Sequence, residues 1–494
     1  MTGFHSTLSR RDFMKALGLT SAGAGAIAAA TPVFNDLDDA ISASPRINDR
    51  PWWIKERNFG DPTVDIDWSL VKRYAFQNAR RTSPIQSTNP SEWTNTGATY
   101  LTDAEKAKER ELLIAHSQNA FPGWEPGPKG IGDIRQTALK YASLFLAFSG
   151  WPSNIQSNGV NIPLKKLFMD AGGADMFDSW LGVQTAPTPE QMHTPKWQGT
   201  PEENLQMMKS VVRFYGGEDV GAIEIDDNVK KLFWTSTYDF GKRIEFEDIE
   251  QAYETKDKMV IPNSYKWILT WTMRQPFEQN RRGAGTSDSA ASYLSYVRGP
   301  MANVQIKEFM RAIGYQGLSQ DNQHCGSGAT ATLSGLGELS RASYVNHPKY
   351  GISLRIAWGI PTNLPLAVTK PIDFGGFEFC KTCGICAEQC PTGAIHKGDP
   401  SWETSTPGFP VKGFLGFHTD YSKCPHCPVC MSVCPFNTAP NGSFIHDFVK
   451  STSANTTLLN GFFANMSRNM GYGRKDPRDW WEIEDMPWGV DTTF

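Results

Sequence analysis

Eight of the nine cysteines in this 494-residue chain fall into two runs of four with the same spacing. Cys380, Cys383, Cys386 and Cys390 precede Pro391, and Cys424, Cys427, Cys430 and Cys434 precede Pro435. Both runs read C-x2-C-x2-C-x3-C-P, the spacing that holds a pair of 4Fe–4S clusters. No other feature constrains the fold as much, because each cubane needs four thiolates at one point. In this spacing the first three cysteines of a run wrap one cluster and the fourth reaches the other. Cys380, Cys383, Cys386 and Cys434 are therefore expected on one cluster, and Cys424, Cys427, Cys430 and Cys390 on the second. Other uses of cysteine fit less well. Zinc sites pair C-x2-C units across a longer gap, disulfides favour short secreted chains, and packing cysteines have no reason to repeat a spacing. Only Cys325 lies outside the two runs.

The N-terminal stretch Ser9-Arg10-Arg11-Asp12-Phe13-Met14-Lys15 reads as a twin-arginine export signal, with a run of small residues from Ala16 to Ala30 behind it. Such a signal is an address read by a receptor and not an anchor. The run to Asn35 has no charged helical face, which argues against an ordinary amphipathic helix. Cleavage is expected after Ala28-Ala29-Ala30 or near Ser42-Ala43-Ser44, so residues 1–43 are set apart from the fold. The twin-arginine route carries folded proteins. A chain loaded with cofactors in the cytoplasm and working outside needs such a route, so export is no argument for disulfides. Net charge is −4, without the basic excess that nucleic acid binding needs. No later stretch reaches the ~18 apolar residues of a membrane span. Any membrane association is expected to come through a partner.

Residues 44–200 are rich in Pro, Gly, Asn and Trp and are expected to wrap other parts of the molecule. Helices are expected over Thr102–His116 and Asp133–Phe148. Trp52, Trp53, Trp68, Trp93, Trp124 and Trp151 are core or interface residues, or in part the walls of an apolar pocket. The pattern sharpens over 201–360. Thr200 is an N-cap followed by Pro201. Leu205, Met208, Val212 and Tyr215 recur at helical spacing, and Gly216-Gly217 stops the helix. Strands are expected at Val220–Ile225, Trp267–Thr272 and Ile352–Ile360, the last placing Arg355 opposite its apolar face. A helix marked by Val304, Ile306, Phe309, Met310 and Ile313 closes at Gly314. Together these predict a layered α+β core, a cluster domain over 372–440 and a tail, 441–494, packed on the core.

Two clusters alone would make a carrier, and this chain is far too long for one. A second redox centre is expected, yet the usual fingerprints are missing. Gly326-Ser327-Gly328-Ala329-Thr330-Ala331 fits a loose G-x-G-x-x-A, but the polar Asp321 to Cys325 before it is no strand. No C-x-x-C-H haem site occurs.

The leader, the long middle region and the paired cysteine runs together resemble the catalytic subunit of corrinoid-dependent reductive dehalogenases. Phe377-Glu378-Phe379 before Cys380 and the run Gly335-Leu336-Gly337-Glu338 carry the same likeness. The resemblance implies a nitroreductase-like core holding a base-off, cobalamin-type corrinoid, fed by the two clusters. It implies a tyrosine proton donor, an asparagine over the pocket and a basic residue beside the tyrosine. By local context these are Tyr296, with Tyr293 as the alternative, Asn322 and Arg355. A phenol is a feasible acid, and a nearby guanidinium stabilises the phenolate left behind. Cys325, Gly326, Ser327 and Gly328 form a small-residue loop that would let backbone approach the corrinoid, with Cys325 read as a pocket-lining thiol and His324 as structural. The implied reaction replaces the halogen of a chlorinated ethene or chlorinated aromatic by hydrogen, using Co(I). The implied partners are a small integral membrane anchor and an electron donor at the outer face of the cytoplasmic membrane. Two other classes stay open: an exported electron-transfer subunit of a hydrogenase or formate dehydrogenase, and an epoxyqueuosine reductase, which the leader and the negative charge disfavour.

Overall fold

The computed structural model describes residues 50–75, 102–123, 155–157, 160–162, 180–182, 184–237, 242–282, 290–320, 324–403, 412–437, 444–469 and 473–482. The leader, the expected helix over Asp133–Phe148, Trp93, Trp124, Trp151 and Asn322 lie outside these residues.

A three-stranded antiparallel sheet organises the core, in the order Leu354–Thr362, Trp267–Arg274, Val220–Glu224. The middle strand is buried over Ile268–Met273, as expected for a strand covered on both faces. Alternation assigns the two faces. Val220, Ala222, Leu269, Trp271 and Met273 pack against Leu205, Met208 and Val212 of helix Pro201–Phe214 and Ala302, Ile306 and Met310 of helix Ala290–Ala312. The other face carries Gly221 and Thr270. There Thr270 Oγ1 donates to Ser334 Oγ at 2.6 Å, and a Cβ at Gly221 would lie 2.7 Å from the Ser334 carbonyl oxygen. This seats helix Ser327–Leu333 against the sheet. The result is helix, sheet and helix in layers, an α+β core as expected from sequence. A second sheet, Arg243–Glu247, Lys258–Pro262 and Tyr253–Glu254, flanks it.

Local signals explain the helix starts. Thr200 and Glu203 form a reciprocal capping box with Pro201 in the first turn, and Thr102 with Glu105 caps Asp103–Ala120 in the same way. In the C-terminal part, helix Gly376–Cys383 packs with Phe374, Phe436, Val449 and Phe463 in one core. The helices Phe444–Ser453 and Asn460–Asn469 thus cover the cysteine-bearing helices. The following stretch returns to the sheet layer, where Arg282 pairs with Asp479 and the Lys475 N–H donates to the Arg281 carbonyl at 2.9 Å. Residues 50–75 bind both parts. Lys55–Glu56 pairs with Ile372–Asp373, and Arg73 donates to the carbonyls of Phe233, Trp234 and Ile244. No helix among the described residues is long and apolar enough to cross a membrane.

Gly299 sits inside helix Ala290–Ala312 against the indole of Trp358, and a Cβ there would stand 2.1 Å from the ring. That ring stacks on Trp271 at 5.3 Å and has little room to yield. Gly299→Ala should destabilise by about 1–3 kcal/mol, the usual cost of overpacking, read as a lower thermal unfolding midpoint. An unchanged midpoint would show that the layer is looser than its packing implies.

Candidate active site

Simple alternation puts Arg355 and Trp358 on opposite faces of their strand. The structure corrects this. Arg355 opposes Met273 while Trp358 opposes Trp271, so three steps on one strand match two on the other. The extra residue is a β-bulge, a device that re-aims side chains. Both side chains now meet one ring. The Arg355 guanidinium carbon lies 5.1 Å from the centroid of Tyr296, and Trp358 meets the same ring edge-on at 6.0 Å. A cation over an aromatic face is attracted by the ring quadrupole, which holds the phenol in place.

Tyr296 lies inside helix Ala290–Ala312, upstream of the apolar spacing that marks this helix from Val304 onward. Pro300 sits in this helix without ending it. It lacks the N–H that would bond the carbonyl four residues earlier, that of Tyr296, and its ring crowds that carbonyl. Tyr293, the alternative donor, is in the same helix and buried.

Arg355 also lies 5.9 Å from the ring centroid of Tyr344. Burial raises the hydroxyl pKa of Tyr344 and of Tyr421; Cys430 and Cys424 add to this and the Arg355 charge opposes it. Both tyrosines line one cavity with Cys390, Cys424, Cys427 and Cys430. The fourth cysteine of the first run thus stands with the first three of the second, beside the Arg355–Tyr296 pair. Neither tyrosine was singled out from sequence. Tyr421 precedes Cys424 by three positions, a weak positional signal. Tyr344 offers none, since a hairpin places it.

The remaining cysteines group likewise. Cys434 is the leading charged neighbour of Cys380, and Cys386 feels Cys380, Cys383 and Cys434 together with Cys430 of the other group. Burial pushes the Cys383 and Cys427 thiols up to about 12 and Cys434 to about 11. Thiolates so placed need a compensating cation, which cluster iron supplies. These groupings match the two ligand sets expected from the spacing.

The small-residue loop is corrected too. Gly326 is the N-cap of helix Ser327–Leu333, so Ser327 and Gly328 are helical and not part of a flexible loop. Cys325 is fully buried and its thiol pKa is pushed up by burial. The His324 carbonyl accepts the Trp234 N–H at 2.9 Å, a structural bond. Nearby, Tyr74 Oη, Thr235 Oγ1 and Ser236 Oγ are buried without a hydrogen-bond partner among the described residues. Backbone contacts tie them to Cys325: Thr235 N–H donates to the Tyr74 carbonyl at 2.8 Å, and Phe233 bridges Cys325. A Cβ at Gly326 or Gly328 would meet protein no closer than 3.6 Å. The buried hydroxyls of Tyr74, Thr235 and Ser236, without partners among the described residues, fit a ligand rich in amides, as a corrinoid is.

Two protein families match the chain: one described as the reductive dehalogenase subunit over residues 166–366, and a 4Fe–4S dicluster domain over 379–438. The trichloroethene reductive dehalogenase of Dehalococcoides mccartyi strain 195 is 35% identical, with 98% of each chain covered. The chain belongs to the reductive dehalogenase family. The chloroethene reductive dehalogenase of Dehalococcoides mccartyi strain VS is 34% identical over 99% of each chain. A solved reductive dehalogenase described as B12-dependent superposes on 84% of this chain and 48% of its own, at 18% identity and a TM-score of 0.48. The protein is a reductive dehalogenase catalytic subunit, an oxidoreductase acting on organohalides with a C-terminal iron–sulfur domain, and its family implies a corrinoid. An electron-transfer subunit is not favoured, since it would leave residues 166–366 without a purpose.

The ligand grouping has a direct test. Cys390→Ala should remove the cluster beside Tyr344 and Tyr421, dropping iron from about eight to about four per chain and leaving one cluster signal in the reduced protein. Full iron with two unaltered signals would rule out Cys390 as a ligand.

Proposed function

We propose that this reductive dehalogenase replaces a halogen of a chlorinated ethene by hydrogen, with Tyr296 as proton donor. The two cysteine groups would hold two 4Fe–4S clusters able to supply single electrons, and the residues around Cys325 would hold the corrinoid, taken as base-off. The observation that carries the proton-donor assignment is the convergence of Arg355 on Tyr296 beside the second cysteine cavity. The substrate class is supported by the two relatives that cover nearly the whole chain, whose names specify chloroethenes. A chlorinated aromatic is the competing class.

The balance is two electrons and one proton in, a carbon–halogen bond broken, a carbon–hydrogen bond made and halide released. When bound, the corrinoid supplies low-valent cobalt chemistry at the halogenated carbon. The chain's own residues do the rest. Tyr296 gives the phenolic proton to carbon, Arg355 holds the ring and stabilises the phenolate, and Trp358 with Trp271 keeps water from its flank. Asn322, outside the described residues, is assigned to the pocket through the family pattern. Cys325, Gly326, Ser327 and Gly328 line the corrinoid side, with Tyr74, Thr235 and Ser236 as its hydrogen-bonding partners.

The same proposal places the enzyme at the outer face of the cytoplasmic membrane, as a peripheral protein held by a small integral membrane anchor and fed by a membrane electron donor. The twin-arginine motif around Arg10-Arg11 supports export. The negative net charge supports no nucleic acid partner.

Three measurements test the reading. Anaerobically purified protein should hold about eight irons with matching acid-labile sulfide and one cobalt, and should release chloride faster from chlorinated ethenes than from chlorinated benzenes. Iron without cobalt, even after reconstitution with cobalamin, would sink the corrinoid assignment. A preference for benzenes would reverse the substrate class. Tyr296→Phe should lower dehalogenation by about 100-fold or more, the usual worth of a general acid, with iron and cobalt unchanged. Full activity would move the proton donor elsewhere.

A further inference from the structure

The run Gly335-Leu336-Gly337-Glu338 has no role in the chemistry above, yet it ends on a buried carboxylate. Glu338 is 1% exposed and opens a short hairpin, pairing with Asn346. Its carboxylate accepts the backbone N–H groups of Phe374 at 2.6 Å, Gly376 at 3.1 Å and Phe377 at 2.9 Å. The last two open the helix that carries Cys380 and Cys383. The two glycines make this approach possible. A Cβ at Gly337 would lie 2.3 Å from the Asn346 carbonyl oxygen, and one at Gly335, held at φ +75°, would lie 2.0 Å from that of Lys370.

Three residues on, Arg341 grips the same helix one turn later. Its guanidinium donates to the Cys380 carbonyl at 2.8 and 3.0 Å, and to the carbonyls of His396 and Gly398 at 2.8 Å each. These acceptors are neutral, so the bonds hold the cation without cancelling its charge. The Arg341 backbone N–H also points at Cys380 Sγ, 3.5 Å away. Farther round the hairpin, Ala342 and Tyr344 line the other cysteine cavity.

Reduction adds negative charge to a cluster that its thiolates already make anionic. A nearby cation or an N–H bond to sulfur favours that step, and a buried carboxylate opposes it. We propose that Glu338 and Arg341 are opposed positioning residues that hold Cys380 and set the reduction potential of the cluster on Cys380, Cys383, Cys386 and Cys434, apart from that of the second cluster. The inference rests on the two-cluster reading. It assigns the hairpin a redox function, setting the potentials of the two clusters apart.

The test is a potentiometric titration of the full, anaerobically prepared holoenzyme, with both cluster signals followed by electron paramagnetic resonance. Burial raises the Glu338 carboxyl to about 7. Titrating at about pH 9 keeps it ionised. Glu338→Gln keeps an acceptor for the helix but removes the charge. It should make one cluster easier to reduce by about tenfold in reduced-to-oxidised ratio, about 59 mV for one electron, and leave the other in place. Arg341→Gln should shift the same cluster the opposite way, and Arg341→Lys should restore most of the potential. A purely structural role would lower iron content or thermal stability without shifts of opposite sign. Two signals in the wild type with unshifted variants, or shifts of the same sign, would overturn the inference alone. Fewer than two signals in the wild type would overturn the cluster reading and this inference with it.

Discussion

Buried sulfur is the constraint on which the rest of the molecule depends. Burial raises the thiols of Cys380, Cys383, Cys386, Cys427, Cys430 and Cys434. Thiolates at such positions are stable only when iron compensates their charge and the surrounding backbone is fixed. Several otherwise separate features serve that need. Glu338 caps the first cysteine helix and Arg341 holds its Cys380 carbonyl. Ser432 Oγ, in the helix of Cys430, bonds the Asn280 carbonyl of the sheet layer. The C-terminal helices close over Phe374, Phe379 and Phe436.

From there an ordered line runs inward. The first cysteine group adjoins the second, with Cys386, Cys390, Cys430 and Cys434 packed against one buried cluster. The second shares its cavity with Tyr344 and Tyr421, which adjoin Arg355, and Arg355 lies over Tyr296. Electron-carrying and proton-carrying groups therefore meet where one strand of the central sheet bulges. Without the extra residue between Arg355 and Trp358, the guanidinium would point to the far face and the phenol would lose its cation. Gly299 lets the helix of Tyr296 settle on Trp358 closely enough for the contact to form.

Much of this was legible in the chain. The cap at Thr200, the strands near Val220, Trp267 and Leu354, and the α+β class follow from local patterns whose physics is local: hydrogen-bond capping and the side-chain periods of 3.6 and 2. The apolar spacing of the helix that holds Tyr296 is clear only from Val304 onward, and Pro300 breaks the pattern, so the sequence shows only its second half. The start of Ser327–Leu333 has the composition of a loop, because glycines and serines are poor helix formers in isolation. Packing against the sheet through Ser334 and Thr270 overrides that preference.

The cysteine spacing, by itself, determined that this chain carries iron–sulfur chemistry, because four thiolates at fixed short intervals can wrap only a compact inorganic core. Together with the leader and the long middle region it carries the likeness to the reductive dehalogenases. Only the tertiary structure decided which residues surround that chemistry. The face that Arg355 presents, the placing of Tyr344 and Tyr421, and the grip of Glu338 and Arg341 on the first cysteine helix depend on a bulge and a hairpin. Their register is set by contacts between segments far apart in sequence, and such contacts leave no period in the chain to read.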